Sequence, residues 1–160
     1  MRINSGGTLT GCGSITGNLL NNGTVIANCG GTLAINGNVT NNGTMQFLNG
    51  SGLAVTGTFV NNGLLDLLTG AQALPVNFIN NGTVLLATNI VVQNFSLIAG
   101  NISLTIQGYD GHTYQLQRTA SLAPASWQNV GPSQDGANAP LIFSDTPNGS
   151  QNFYRVLVSP

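Results

Sequence analysis

Apolar and polar positions alternate in short runs through the first half of the chain. In Thr32-Leu33-Ala34-Ile35 and Thr44-Met45-Gln46-Phe47 the apolar side chains fall two apart, and the three-or-four spacing of a helix is nowhere sustained. The pattern also returns at long range: Ile15, Ile35 and Val55 align, as do Gly17, Gly37 and Gly57, then Leu19, Val39 and Phe59, then Val25, Met45 and Leu65. Asn-Asn-Gly marks the same period at Asn21-Asn22-Gly23, Asn41-Asn42-Gly43, Asn61-Asn62-Gly63 and Asn80-Asn81-Gly82, in steps of 20, 20 and 19 residues. A fixed period of that length, built of short strands with Gly and Asn at the corners, predicts a parallel β-helix over residues 1–97. Corner Gly and Asn are expected to supply positive φ. Stacked Asn amides are expected to hydrogen-bond along the axis as a structural ladder.

Near residue 90 the pattern changes. Asn-Asn-Gly stops, and Ile90-Val91-Val92-Gln93-Asn94-Phe95 reads as a last coil or a connecting strand. Longer alternating runs follow: Ile102–Gln107, Thr113–Arg118, Ser126–Val130, Leu141–Ser144 and Phe153–Val158. Asp110-Gly111 fits a hairpin turn between the first two, and Asp135-Gly136 and Asn148-Gly149 punctuate the later ones. Residues 98–160 are therefore expected to form a small antiparallel β-sandwich, making the whole chain all-β.

Composition removes several functions. Only 4% of residues are charged, with no Lys and no Glu, and His112 is the single histidine. Three scattered arginines, Arg2, Arg118 and Arg155, cannot supply the phosphate contacts that dominate nucleic-acid binding. No apolar run reaches the length that spans a bilayer, and Met1–Gly7 lacks a signal-peptide core, so residue 1 is expected to be the edge of a processed or partial chain. Sugar-cleaving β-helices need clustered acids and bases, whereas the coils offer Asp66 alone, so no enzyme, metal or cofactor is expected. Asp110 and Asp135 are lone acids in turns, too few oxygens for calcium. His112 reads as a solvated or turn-capping residue, and Asp145 with Arg155 as a structural ion pair on neighbouring strands.

Cys12 and Cys29 lie near corners of successive coils, where stacking would bring them within disulfide reach; the alternative is two small buried thiols. Asn22, Asn38, Asn42, Asn49, Asn81, Asn94, Asn101 and Asn148 each begin an Asn-x-Ser/Thr sequence, a glycan acceptor in a secreted protein or a by-product of the repeat. A row of Thr24, Thr44, Leu64 and Thr83 is too imperfect for an ice-binding face.

The stretch Leu9-Thr10-Gly11-Cys12-Gly13-Ser14-Ile15-Thr16-Gly17-Asn18, followed by Asn22-Gly23-Thr24-Val25, resembles coils of bacterial autotransporter-type and haemagglutinin-like adhesin passengers. Tyr114–Thr119, Ser126-Trp127, Asp145 and Phe153-Tyr154-Arg155-Val156 are similar to the fibronectin-type-III-like modules that end large extracellular proteins of environmental bacteria. These resemblances imply architecture and an extracellular, cell-surface setting, with no activity attached to any residue.

A short solenoid presents unpaired strand edges at its ends, and Ser5–Thr10 carries no helix pattern and no charge to block pairing. The expected function is a structural subunit of an extracellular bacterial fibre, self-assembling head to tail through β-helix edges. The alternative is an adhesin or carbohydrate-binding fragment, in which Trp127, Tyr109 or Tyr114 would stack on sugar, although Trp127 is also expected to fill the sandwich core.

Overall fold

A computed structural model describes all 160 residues, Met1–Pro160. The chain divides into two compact units, Met1–Ala87 and Thr88–Pro160.

The first unit is a parallel β-solenoid. Its first coil holds β1 (Arg2–Ile3), β2 (Thr8–Thr10) and β3 (Gly13–Thr16). The second holds β4 (Leu19–Asn21), β5 (Thr24–Ala27) and β6 (Thr32–Asn36), and the third β7 (Val39–Asn41), β8 (Thr44–Phe47) and β9 (Gly52–Val55). Then come β10 (Phe59–Asn61) and β11 (Leu64–Asp66), an irregular stretch containing Pro75, and finally β12 (Phe78–Asn80) and β13 (Thr83–Leu85). Strands one coil apart pair in register, giving two five-stranded sheets, β1-β4-β7-β10-β12 and β2-β5-β8-β11-β13, and one three-stranded sheet, β3-β6-β9.

Register turns the repeat into a stacked core. Leu19 stands under Val39, Phe59 and Phe78; Val25 under Met45, Leu65 and Val84; Ile15 under Ile35 and Val55. The middle members of these columns are fully buried, and the Phe59 and Phe78 rings meet edge to face at 5.2 Å. Because each coil repeats its neighbour's side-chain period, the apolar positions of the inner coils stack on apolar residues above and below.

The corner glycines work differently from expectation. Gly23, Gly43, Gly63 and Gly82 do not take positive φ, and neither do the asparagines preceding them. Instead each glycine lies against the backbone of the coil beneath: a Cβ on Gly43 would overlap the Gly23 carbonyl, one on Gly63 the Gly43 carbonyl, and one on Gly82 the Gly63 carbonyl. Glycine is required there by close approach of two backbones, not by a left-handed conformation. Positive φ is found at other turns, including Gly11, Gly13 and Gly17.

The second unit packs two antiparallel sheets. One is β14 (Val92–Ile98), β15 (Asn101–Gln107) and β19 (Pro140–Asp145), in the order β14-β15-β19. In the other, β16 (Thr113–Thr119) is central, with β20 (Phe153–Ser159) along one edge and β17 (Gln128–Asn129) and β18 (Gln134–Asp135) sharing the opposite edge. Leu104, Ile106 and Phe143 from the first sheet pack with Tyr114 and Leu116 from the second.

One expectation fails here. Asp110-Gly111 does not close a hairpin, because β15 and β16 belong to different sheets; the turn carries the chain across the sandwich. The true hairpin is β14–β15, closed by Ala99 and Gly100 at φ 51° and 80°. This two-residue turn with positive φ at both positions matches the twist of the flanking strands. Its pairing places residues 92–98 in the second unit, so the structural division falls after Ala87.

Candidate functional site

The side chains that set this molecule apart are the corner asparagines, and adjacent members of each pair do different jobs. Strand alternation turns Asn21, Asn41 and Asn61 inward, where they are fully buried. Asn21 Nδ2 donates to Asn41 Oδ1 at 2.8 Å and to the Thr44 carbonyl at 2.9 Å. Asn41 repeats this with Asn61 and Leu64, and Asn61 with Asn80 and Thr83. Asn21 Oδ1 also accepts from the Gly23 amide at 3.1 Å. A buried amide is tolerable only with its hydrogens used, and each of these uses both. The column ends at Ile3, which pairs with Asn21 but has no amide to offer.

The second asparagines form an outer column. Asn42 Nδ2 donates to Asn22 Oδ1 at 2.9 Å, Asn62 to Asn42 at 2.8 Å and Asn81 to Asn62 at 2.9 Å. Inner amides donate toward the C-terminal coil and outer amides toward the N-terminal coil. The two rows of side-chain dipoles therefore run in opposite directions. At another corner Asn18 Oδ1 accepts from the Asn38 amide, and Asn38 Oδ1 from the Thr58 amide.

Cys12 and Cys29, on successive coils, are joined in a disulfide with Cα atoms 6.2 Å apart. Of the eight Asn-x-Ser/Thr acceptors, Asn22 is half-buried and Asn38, Asn42, Asn49, Asn81, Asn94, Asn101 and Asn148 are exposed. Asn42 and Asn81 donate through Nδ2, the atom a glycan would occupy, so a sugar there competes with the outer column.

Ionisable groups are dispersed. Asp66 is buried, and its Oδ1 accepts from the Leu68 amide at 3.0 Å, capping the turn after β11. His112 is buried rather than solvated, and its carbonyl accepts from Gly136. Asp145 pairs with Arg118, not Arg155: the guanidinium Nη1 lies 2.7 Å from Asp145 Oδ2, which also accepts from the Tyr154 hydroxyl at 2.8 Å. The reason is topological, since β20 pairs with β16 and sets Arg155 opposite Gln117, with its Nε donating to Gln117 Oε1 at 2.8 Å. Burial, then the hydrogen bond to Asp145, raises the Tyr154 pKa above its ordinary value of 10.0. No group of three or more His, Cys, Asp or Glu residues gathers at metal-binding distance.

Of the three aromatic candidates, Tyr109 and Trp127 are half-buried and Tyr114 is in the core. Tyr114 is fully buried, with its hydroxyl accepting from the Tyr109 amide at 2.9 Å. Trp127 lies outside the core, half-buried, and the Arg155 guanidinium carbon sits 4.4 Å from its ring centroid. A hollow of about 560 Å³ beside β14 and β15 is lined by Ser96, Asn101, Ser103, Ser144 and Thr146, with Asp145 its one ionisable group. The threonine row has Thr8, Thr24 and Thr44 in register and is interrupted by Leu64 before Thr83.

The solenoid ends contrast with its middle. At the N-terminal end β1, β2 and β3 pair on one side only, and Leu9, Cys12 and Ile15 are half-buried beneath fully buried Val25 and Ile35. The Thr24 amide donates to the Gly7 carbonyl and the Gly11 amide to the Ile26 carbonyl. By the alternation of a parallel ladder, Thr8 and Thr10 turn their own N–H and C=O away from β5, toward the free edge. At the other end β12 and β13 are the outermost strands of the same two sheets, with Phe78 and Val84 half-buried. No helix is long and apolar enough to cross a membrane. The chain matches no family model, no curated protein and no solved structure.

Proposed function

We propose that this chain is a non-catalytic structural subunit of an extracellular bacterial fibre, self-assembling head to tail through its solenoid edges. The carrying observation is that the two long parallel sheets end in unpaired strands at both ends, over half-buried core residues. In the assembly, β1 and β2 of one copy extend the sheets ending in β12 and β13 of the next. Such a contact joins unlike ends and propagates without closing. The main-chain pairing resembles that already holding each coil to its neighbour, so the fibre is a longer solenoid. The disulfide and the lack of charge on the terminal strand β2 support this reading, since one suits an oxidising setting and the other leaves the edge open.

Thr10→Pro is the test. It removes an outward N–H on an edge strand while leaving the bonds to β5 in place, a position where proline is compatible with a sheet. Sedimentation velocity on the wild-type chain is expected to show mass growing with concentration, and Thr10→Pro is expected to stop that growth at small species. A wild-type chain that stays at one small size across the concentration range excludes head-to-tail stacking.

A further inference from the structure

The second unit has an open edge of its own. Strand β14 hydrogen-bonds to β15 on one side and to nothing on the other. Its apolar side chains are exposed: Val92 56%, Phe95 55%, Leu97 63% and Ile98 71%. Phe95 pairs with Leu104 and Leu97 with Ile102, so both face the side on which Leu104 and Ile102 are buried, yet neither belongs to the core. Soluble proteins commonly protect such an edge with a charge, a proline or a covering segment. Residues 67–109 contain no Asp, Glu, Lys, Arg or His, and β14 contains no proline.

We infer that β14 pairs antiparallel with β14 of a second copy about a two-fold axis at Ser96. The backbone fixes which residues can bond outward. Ile98 and Asn101 flank a two-residue turn, so they form a hydrogen-bonded pair. Alternation then directs Ser96 toward β15 and sends the N–H and C=O of Phe95 and Leu97 to the open edge. With the axis at Ser96, Phe95 of each copy stands opposite Leu97 of the other, and both positions present outward N–H and C=O groups. The same register sets an aromatic against an aliphatic side chain twice on the bare face. The product is one six-stranded sheet in the order β19-β15-β14-β14-β15-β19.

A second copy suits this edge better than another partner. The strand has no charge with which to select a charged ligand, and none with which identical copies would repel each other. The pairing residues are self-complementary in hydrogen-bond direction. Phe95 and Leu97, both exposed and on one face of β14, cover each other across the axis and so remove apolar surface that neither copy buries alone. The contact joins like surfaces and closes at two, independently of stacking at the solenoid ends. In a fibre it would tie neighbouring filaments together.

Sedimentation equilibrium of the full chain carrying Thr10→Pro separates this contact from solenoid stacking. The expected mass is twice that of the 16.4 kDa chain. Adding either Leu97→Lys or Phe95→Asp, both at exposed positions, is expected to weaken self-association at least tenfold and leave monomer. An equimolar mixture of the two variants is expected to recover the doubled mass, because the introduced lysine of one chain then meets the introduced aspartate of the other across the axis, and to lose it again at high salt. A monomeric Thr10→Pro chain overturns the proposal, as does a dimer that survives Leu97→Lys or a mixture that stays monomeric. The last result would point to a different occupant of the edge. If either variant unfolds by circular dichroism, amide exchange at Phe95 and Leu97 in the parent decides: slow exchange that depends on concentration supports the pairing, and fast exchange throughout overturns it.

Discussion

The solenoid and the sandwich are both all-β, but order is specified differently in each. In the solenoid the interactions that define a coil are copied in the next, namely in-register strands, apolar columns, two rows of asparagine amides and glycines against carbonyls, while the Cys12–Cys29 disulfide and the Asp66 cap occur once. In the sandwich each contact occurs once, and four of the seven fixed charges, Arg118, Asp145, Arg155 and Asp135, are placed by it. A repeated geometry can be held by uncharged groups, because one solution serves every coil. A sandwich must fix a unique pairing, and a part-buried Arg118–Asp145–Tyr154 cluster bridging its two sheets does so with directional bonds.

The largest way to break this contrast is Gly43→Ala. Its Cβ has no room against the Gly23 carbonyl, so a cost above about 4 kcal/mol is expected in the solenoid, with the sandwich transition unmoved in chemical denaturation. Gly6→Ala, at φ 77° with open space around it, is expected to cost about 1 kcal/mol. Next is the inner column: Asn41→Ala strands polar partners on both neighbouring coils and is expected to cost about 3 kcal/mol. Asn42→Ala, in the exposed outer column, is expected to cost less than about 1 kcal/mol, so near-equal losses would refute the inner and outer assignment. Reduction of Cys12–Cys29, or a double Cys→Ala variant, is expected to lower solenoid stability by about 3 kcal/mol, given the 17-residue separation.

The smallest effect is a pH dependence confined to the sandwich. The folded Tyr154 pKa is raised, so its contribution is complete below pH 10 and is lost as pH climbs through the folded value. Thermal unfolding followed from pH 9 upward should show the sandwich weakening and the effect disappearing in Tyr154→Phe.

How legible each unit was follows from the same contrast. The period of Asn-Asn-Gly gave the coil length, and Leu19, Val39 and Phe59 fell into one column as aligned. The separate roles of Asn21 and Asn22 were also present in the pattern, since alternation counted from inward Leu19 turns Asn21 inward. What no local pattern contains is why a glycine is needed: positive φ and exclusion of a Cβ leave the same letter in the chain, and Gly43 belongs to the second kind. In the sandwich, Asp110-Gly111 marked a turn correctly but could not show that the next strand joins another sheet. Ala99, at φ 51°, carries no residue signal for the hairpin it helps close. The partner of Asp145 depended on strand order, which placed Arg118 beside it and Arg155 beside Trp127.

Negative-stain electron microscopy of the wild-type chain beside Thr10→Pro tests the central claim most directly. Five stacked rungs per subunit span about 24 Å, so wild-type filaments with an axial repeat near that value, absent in Thr10→Pro, are the expected result. Dispersed wild-type particles at every concentration would contradict it.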